Sequence, residues 1–315
     1  MNCTRAARHD PGPLRRRGLF GAFAAVLLGC AASPSVPGEE PPDVRLLDVP
    51  GATLELQFAP GLDADVRALA EAWVRRSAAA VAAYFGRFPL PQVELLIVPE
   101  AGQGVLSGIS YAEPAPLLRL RIGRTTTPAQ FSADWILVHE MVHLAIPRVP
   151  PAQNWLHEGL ATYVEALARS HAGLVGADAV WHAWVRQMPL GLPQRGEAGL
   201  DHTPTWARTY WGGAMFCLLA DVRLRQRGTP GRGLQQALQG VLAAGGDYRV
   251  AWPVTRILRV ADAALGQSTL TELYEQMKER AVRVDLAALW QDLGVADGAL
   301  RDDAPLAAIR RAILA

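Results

Sequence analysis

Hydrophobic and polar positions alternate, or cluster in short runs, through the early part of the chain and then take on a helical period. Residues 44–49, 53–59, 93–98, 105–111 and 117–122 are short apolar or alternating runs separated by Gly or Pro, and they predict five strands. The run Leu118-Arg119-Leu120-Arg121-Ile122 alternates cleanly, as a strand with one wet face does. Between the second and third runs lies an Ala-rich helical pattern over 63–85, carrying Leu69, Trp73, Val74 and Val81, with Gly86 placed to stop it. From Thr127 onward the pattern is helical. Thr127-Pro128-Ala129-Gln130 is a capping box with Pro at the first helical position. It predicts a helix reaching about residue 146, before Pro147. Further helices are predicted over 154–170, 177–187, 205–227, 231–244, 254–265, 270–281 and at the C-terminus. Strands first and helices afterwards predict an α+β fold, β-rich over 44–126 and helical over 127–315.

The first residues read differently. Arg15, Arg16 and Arg17 precede an apolar run over 19–29, eleven residues long and too short to span a bilayer. This is the layout of a secretory signal peptide over 1–29. Its end, Leu27-Leu28-Gly29-Cys30, resembles the lipobox of bacterial lipoproteins, which implies that Cys30 is lipidated and begins the mature chain. Arg16-Arg17-Gly18-Leu19-Phe20 also loosely resembles a twin-arginine export signal, so the export route stays open. Residues 30–43, with four prolines and Glu39-Glu40, read as a flexible tether. The expected location is the cell envelope, anchored to a membrane by the N-terminal lipid. Ala31 is not the Asp associated with inner-membrane retention, which points to the outer membrane. With Cys3 removed and Cys30 modified, only Cys217 remains, so the domain has no internal disulfide.

Composition narrows the functional classes. Half of the residues are hydrophobic and 19% charged, which excludes a disordered chain. The formal net charge of +1 argues against a nucleic-acid binder relying on a broad positive field.

The chemistry is concentrated in His139-Glu140-Met141-Val142-His143, an HExxH motif inside a predicted helix. Two histidines four apart share one helix face, and their imidazoles can converge on one zinc ion. Glu140, rotated by about 100° from His139, stands beside the ion as a general base and not as a ligand. Apolar residues from Trp135 to Val138 and from Leu144 to Ile146 surround the motif, so the helix is buried. Two His and one Glu in such a helix leave costly unpaired groups unless a metal or a tight polar cluster satisfies them. Zinc needs a third protein ligand.

The segment Asn154-Trp155-Leu156-His157-Glu158-Gly159-Leu160-Ala161-Thr162-Tyr163-Val164-Glu165 follows. HExxH followed by W-L-x-E-G-x-A-x-Y-x-E resembles the gluzincin zinc metallopeptidases, in particular the aminopeptidase N-like, peptidase MA-like branch. The resemblance implies a zincin-like fold, one Zn²⁺ per chain and Glu158 as third ligand. Tyr210-Trp211-Gly212-Gly213-Ala214 matches the family's Y-x-x-G-A segment, which implies that Tyr210 stabilises an oxyanion; an ordinary helix-start aromatic is the alternative. The likeness runs from about residue 134 to 220 and departs in two places. Fourteen residues separate His143 from Glu158, fewer than that branch has. The family's G-x-M-E-N strand, whose Glu holds a free amino terminus, is replaced by Gly108-Ile109-Ser110-Tyr111-Ala112-Glu113-Pro114. Glu113 is the nearest acidic counterpart, or simply a turn residue before Pro114. Thr162 and Glu165, one and two turns beyond Glu158, are candidates to hydrogen-bond a ligating imidazole. Glu165 equally fits a wet helix face. His157 is expected at the rim or behind the ligands.

These residues predict zinc-dependent hydrolysis of a peptide or protein, with the choice between endopeptidase and aminopeptidase open. The rival expectation is a membrane-anchored binding or scaffold module that keeps a metallopeptidase fold with little turnover.

Overall fold

A computed structural model describes residues 43–229, 231–296 and 299–314. The expected signal peptide, Cys30 and the expected tether up to residue 42 lie outside the described residues, while Asp43, placed at the tether's end, opens the first strand. Among the described residues no helix is long and apolar enough to cross a membrane.

Five strands form the sheet: β1 (Asp43–Val49), β2 (Ala52–Phe58), β3 (Gln92–Glu100), β4 (Val105–Tyr111) and β5 (Leu117–Gly123). Their spatial order is β1-β2-β3-β5-β4. β2, β3 and β5 run parallel, while β1 and β4 are antiparallel at the two edges. Alternation decides the buried face. Leu54, Leu56 and Phe58, then Val93, Leu95 and Ile97, then Leu118, Leu120 and Ile122 all point into one core. Each such Leu or Ile contributes about 1.5–3 kcal/mol by leaving water.

Helix α1 (Ala64–Phe85) fills the link between β2 and β3, and Gly86 ends it in the left-handed conformation. Its Trp73, Val74 and Val81 join the same core. The predicted helix over 127–146 is divided. Helix α2 (Pro128–Ala133) starts at the expected capping box, where Gln130 N donates to Thr127 Oγ1 and Thr127 N donates to Gln130 Oε1. It stops at Asp134, whose backbone is extended. Asp134 then caps helix α3 (Ile136–His143), accepting from the backbone N–H groups of Ile136 and Leu137 at 3.1 Å each. Trp73 Nε1 on α1 donates to the same carboxylate at 3.2 Å, so a distant side chain helps fix the break.

The remaining helices are α4 (Asn154–His171), α5 (Ala177–Gln187), α6 (Gly213–Arg227), α7 (Leu234–Ala243), α8 (Val254–Leu265), α9 (Thr269–Met277), α10 (Leu286–Leu293) and α11 (Ala307–Ile313). The fold is α+β with a mainly helical second half, as the patterning predicts. The helix predicted over 205–227 forms over 206–227, and it contains a wide π-type turn, Arg208–Gly212, that leads directly into α6. α3 lies between β4 and α4, and α4 packs on α6. The α4–α6 approach is backbone to backbone. A Cβ on Gly159 would collide with the Gly213 backbone, and one on Gly213 with the Trp155 carbonyl. Only glycine fits at either position.

Candidate active site

Helix α3 supplies three side chains from one turn and a quarter of chain. His139 and His143 sit with ring centroids 4.8 Å apart. Helix α4 brings Glu158 to them. Glu158 Oε2 lies 3.2 Å from His139 Nε2 and 3.5 Å from His143 Nε2. Among the described residues this is the one group of three or more His, Cys, Asp or Glu whose ligand atoms converge, all within 4.8 Å of one another. Zinc with bonds of about 2.0–2.1 Å in tetrahedral array needs donors roughly 3.3 Å apart. The Glu158 distances fit that requirement. The outer Nδ1 atoms of His139 and His143 are buried and hydrogen-bond to nothing among the described residues. The donor set, two imidazoles and a carboxylate, suits Zn²⁺, and among the described residues no fourth ligand joins it.

The electrostatics follow from burial and proximity. Burial works to raise the Glu158 pKa, but the two imidazoles overcome it and hold the carboxyl far below its usual range. Burial lowers His143, yet Glu158, with Glu140 behind it, raises it on balance. His157 is driven well below the usual imidazole value by burial and by His143. It bonds the Ile146 backbone and stacks between His143, at 4.2 Å, and Tyr248, at 5.5 Å. It is thus a buried wall, not a rim residue.

Glu140 faces the same cavity, which has a volume of about 310 Å³. Edge strand β4 runs directly over it. A Cβ on Gly108 would come within 2.6 Å of Glu140 Cγ, so this strand position must be glycine for the carboxylate to fit. Ser110 Oγ stands 2.5 Å from Glu140 Oε2 and 3.1 Å from the Glu140 carbonyl. Its proton holds the carboxylate in place. Tyr248 donates from its hydroxyl to the Ser110 carbonyl at 3.0 Å, and so braces β4. Tyr210, on the wide turn before α6, lines the cavity and stacks on His139 with centroids 6.1 Å apart and rings 14° from parallel. Wide turns of this kind are frequent at functional sites.

Three expected residues stand elsewhere. Glu113 lies beyond β4, 74% exposed, in an ion pair with Arg148 at 2.9 Å, and does not line the cavity. Glu165 is not on a wet face. It is packed against Arg169 at 3.3 Å with 14% of its side chain exposed, and burial of the carboxyl pushes its pKa up to about 7. Thr162 Oγ1 is buried and hydrogen-bonds nothing among the described residues, so neither it nor Glu165 reaches an imidazole. Ser110 and Tyr248 went unrecognised. Strand alternation puts Gly108 and Ser110 on one face of β4, a signal available in the sequence. Tyr248 lies in a loop far along the chain, and nothing local marks it.

No protein-family model matches the chain, and no curated protein matches it in sequence. Solved structures do match in three dimensions. An aminopeptidase N family protein from Idiomarina loihiensis superposes with a TM-score of 0.63 and 13% identity, over 80% of this chain and 49% of that one. The fold is M1 metallopeptidase-like. The M1 zinc metallopeptidase of Deinococcus radiodurans superposes with a TM-score of 0.52 and 22% identity, over 78% of this chain and 53% of that one. A mutant of the same bacterium's enzyme, bound to a Tyr-Ser-Ala substrate, matches with a TM-score of 0.52, 17% identity and the same coverage. This chain spans about half the length of these M1 neighbours, and at such identities the likeness is one of fold.

Proposed function

We propose that the protein is a zinc-dependent peptidase. The observation that carries this reading is the convergence of His139, His143 and Glu158 in one cavity with Glu140 beside them. In this reading His139 Nε2, His143 Nε2 and Glu158 hold the metal. Bound zinc supplies Lewis acidity and lowers the pKa of a water toward neutrality. Glu140, oriented by Ser110, takes the proton of the attacking water and passes it to the leaving amine. Tyr210 donates a hydrogen bond to the oxyanion that develops on the scissile carbonyl. His157 and Tyr248 fix the walls around these groups. A scaffold without turnover would have no use for Ser110 aiming the Glu140 carboxylate into the cavity.

The test is elemental zinc analysis of the detergent-solubilised full chain, paired with cleavage of a peptide library. About one zinc per chain is expected in the parent and in Glu140→Gln, and much less in Glu158→Ala. Glu140→Gln should lower cleavage by about 10²–10⁴-fold while keeping the metal. A folded chain that refuses added zinc would overturn the reading.

A further inference from the structure

Four aromatic rings run in contact, His139 and Tyr210 on the cavity wall and Trp135 and Trp206 flanking them outside it. Trp135 meets His139 edge-on, with centroids 5.6 Å apart. His139 stacks on Tyr210, and Tyr210 stacks on Trp206 with centroids 5.7 Å apart. The inner two rings belong to the site. The outer two are open to solvent, Trp135 at 43% and Trp206 at 52%.

That exposure is selective. The chain has nine tryptophans. Trp135 and Trp206 are the two that are exposed, and each rests on a ring that faces the cavity. A large apolar ring left in water is informative when it borders a functional cavity, because it gains by being covered. Ile109, 48% exposed on edge strand β4, lines the same cavity. The charged side chains that line it are Glu140 and Glu158, with no arginine or lysine among them to pair with an acidic group.

We propose that Trp135 and Trp206 are specificity-determining residues that select polypeptide segments carrying a bulky apolar side chain, such as leucine or phenylalanine, beside the scissile bond. The proposal rests on the peptidase reading and names its substrate class. An entering side chain covers the exposed indole faces and is itself removed from water. A small side chain leaves those faces wet.

The test uses the full chain carrying Glu140→Gln, loaded with zinc, and titration calorimetry. The probes are hexapeptides identical except for one central residue, Phe, Leu, Ala or Asp, each made with free and with blocked ends. The Phe and Leu peptides should bind at least about tenfold more tightly than the Ala peptide, the discrimination an apolar pocket gives for one or a few methylenes. Adding Trp206→Ala or Trp135→Ala should shrink that ratio toward one, and Trp206→Phe should restore most of it. Equal affinities for Phe and Ala peptides would overturn the proposal, as would a ratio that both Trp→Ala variants leave intact. Cleavage by the parent chain separates the two readings. Turnover of all peptides without apolar preference sinks the subsite and keeps the peptidase. Selective binding of Phe and Leu peptides by a zinc-loaded parent that cleaves none keeps the subsite and sinks the peptidase.

Discussion

Helix α4 carries one polar cluster near its start and another near its middle, and the two are built on opposite principles. In the second, Asp221 on α6 is nearly fully buried and every bond it needs comes from protein. Tyr163 Oη donates to Oδ2 at 3.0 Å, Arg225 Nε to Oδ1 at 2.9 Å, and the Leu234 backbone N–H to Oδ1 at 2.9 Å. That network closes on itself and ties α4, α6 and α7 together. In the first, His139 Nε2, His143 Nε2 and one Glu158 oxygen crowd together, three ligand atoms converging on one point. A buried charge is tolerated when it is paired and hydrogen-bonded. The closed cluster meets that condition alone, and under the proposed function the open one would meet it through a metal held by the two Nε2 atoms and Glu158. The difference separates structural polarity from functional polarity within one helix.

The sharpest way to break the comparison is Asp221→Ala. It leaves Arg225 buried beside the loss, and should destabilise the fold by about 3–5 kcal/mol. Zinc content per folded chain should stay unchanged. Chemical denaturation with metal analysis checks both, and a mild effect would show that the closed cluster is not structural.

Glu165 stands between the two kinds. Its partner Arg169 is close, but burial wins and the carboxyl is pushed up to about 7. The folded chain therefore holds a proton that the unfolded chain releases near 4.5. The favourable state of this group is intact below about pH 4.5, and stability falls as pH rises through 7, by roughly 3 kcal/mol. Glu165→Gln removes the titration. The variant should gain on the parent at pH 8 and show no such gain at pH 4, as read from melting curves at the two values. A pH-independent difference would show that Glu165 is ionised in the fold.

The smallest effect is expected from Tyr248→Phe, which deletes the hydroxyl that braces β4 over Glu140. It should cost about 1 kcal/mol of stability and lower kcat by less than about tenfold, with zinc content unchanged. Steady-state kinetics on one peptide substrate checks this. Unchanged kcat would mean that the brace serves the strand and not the carboxylate.

Patterns local to the chain were legible in the sequence. Alternation located all five strands, and the capping box at Thr127 gave the start of α2. The four-residue spacing of His139 and His143 placed both on one face of α3. What local pattern could not supply was decided by partners far along the chain. The break at Asp134 is reinforced by Trp73, which periodicity around residue 134 does not contain. Glu165 sits at a position suited to a wet face or to a ligand's neighbour, and tertiary packing instead buried it on Arg169. Glu113 matches an acidic residue of the resembled family in sequence distance, but Arg148 holds it outside the cavity. Ser110 acquires its role only when β4 folds over α3.

The glycine contact between α4 and α6 bears on how the site behaves in time. Helices that touch along their backbones at Gly159 and Gly213 have no side-chain cushion through which to slide or roll. Glu158 precedes one glycine and Tyr210 stands three residues before the other, so both ride on the contact. Their separation is set when the chain folds. Under the proposed function little reorganisation would be left for the moment of reaction, and accommodation of differing peptides would fall to the exposed indoles of Trp135 and Trp206.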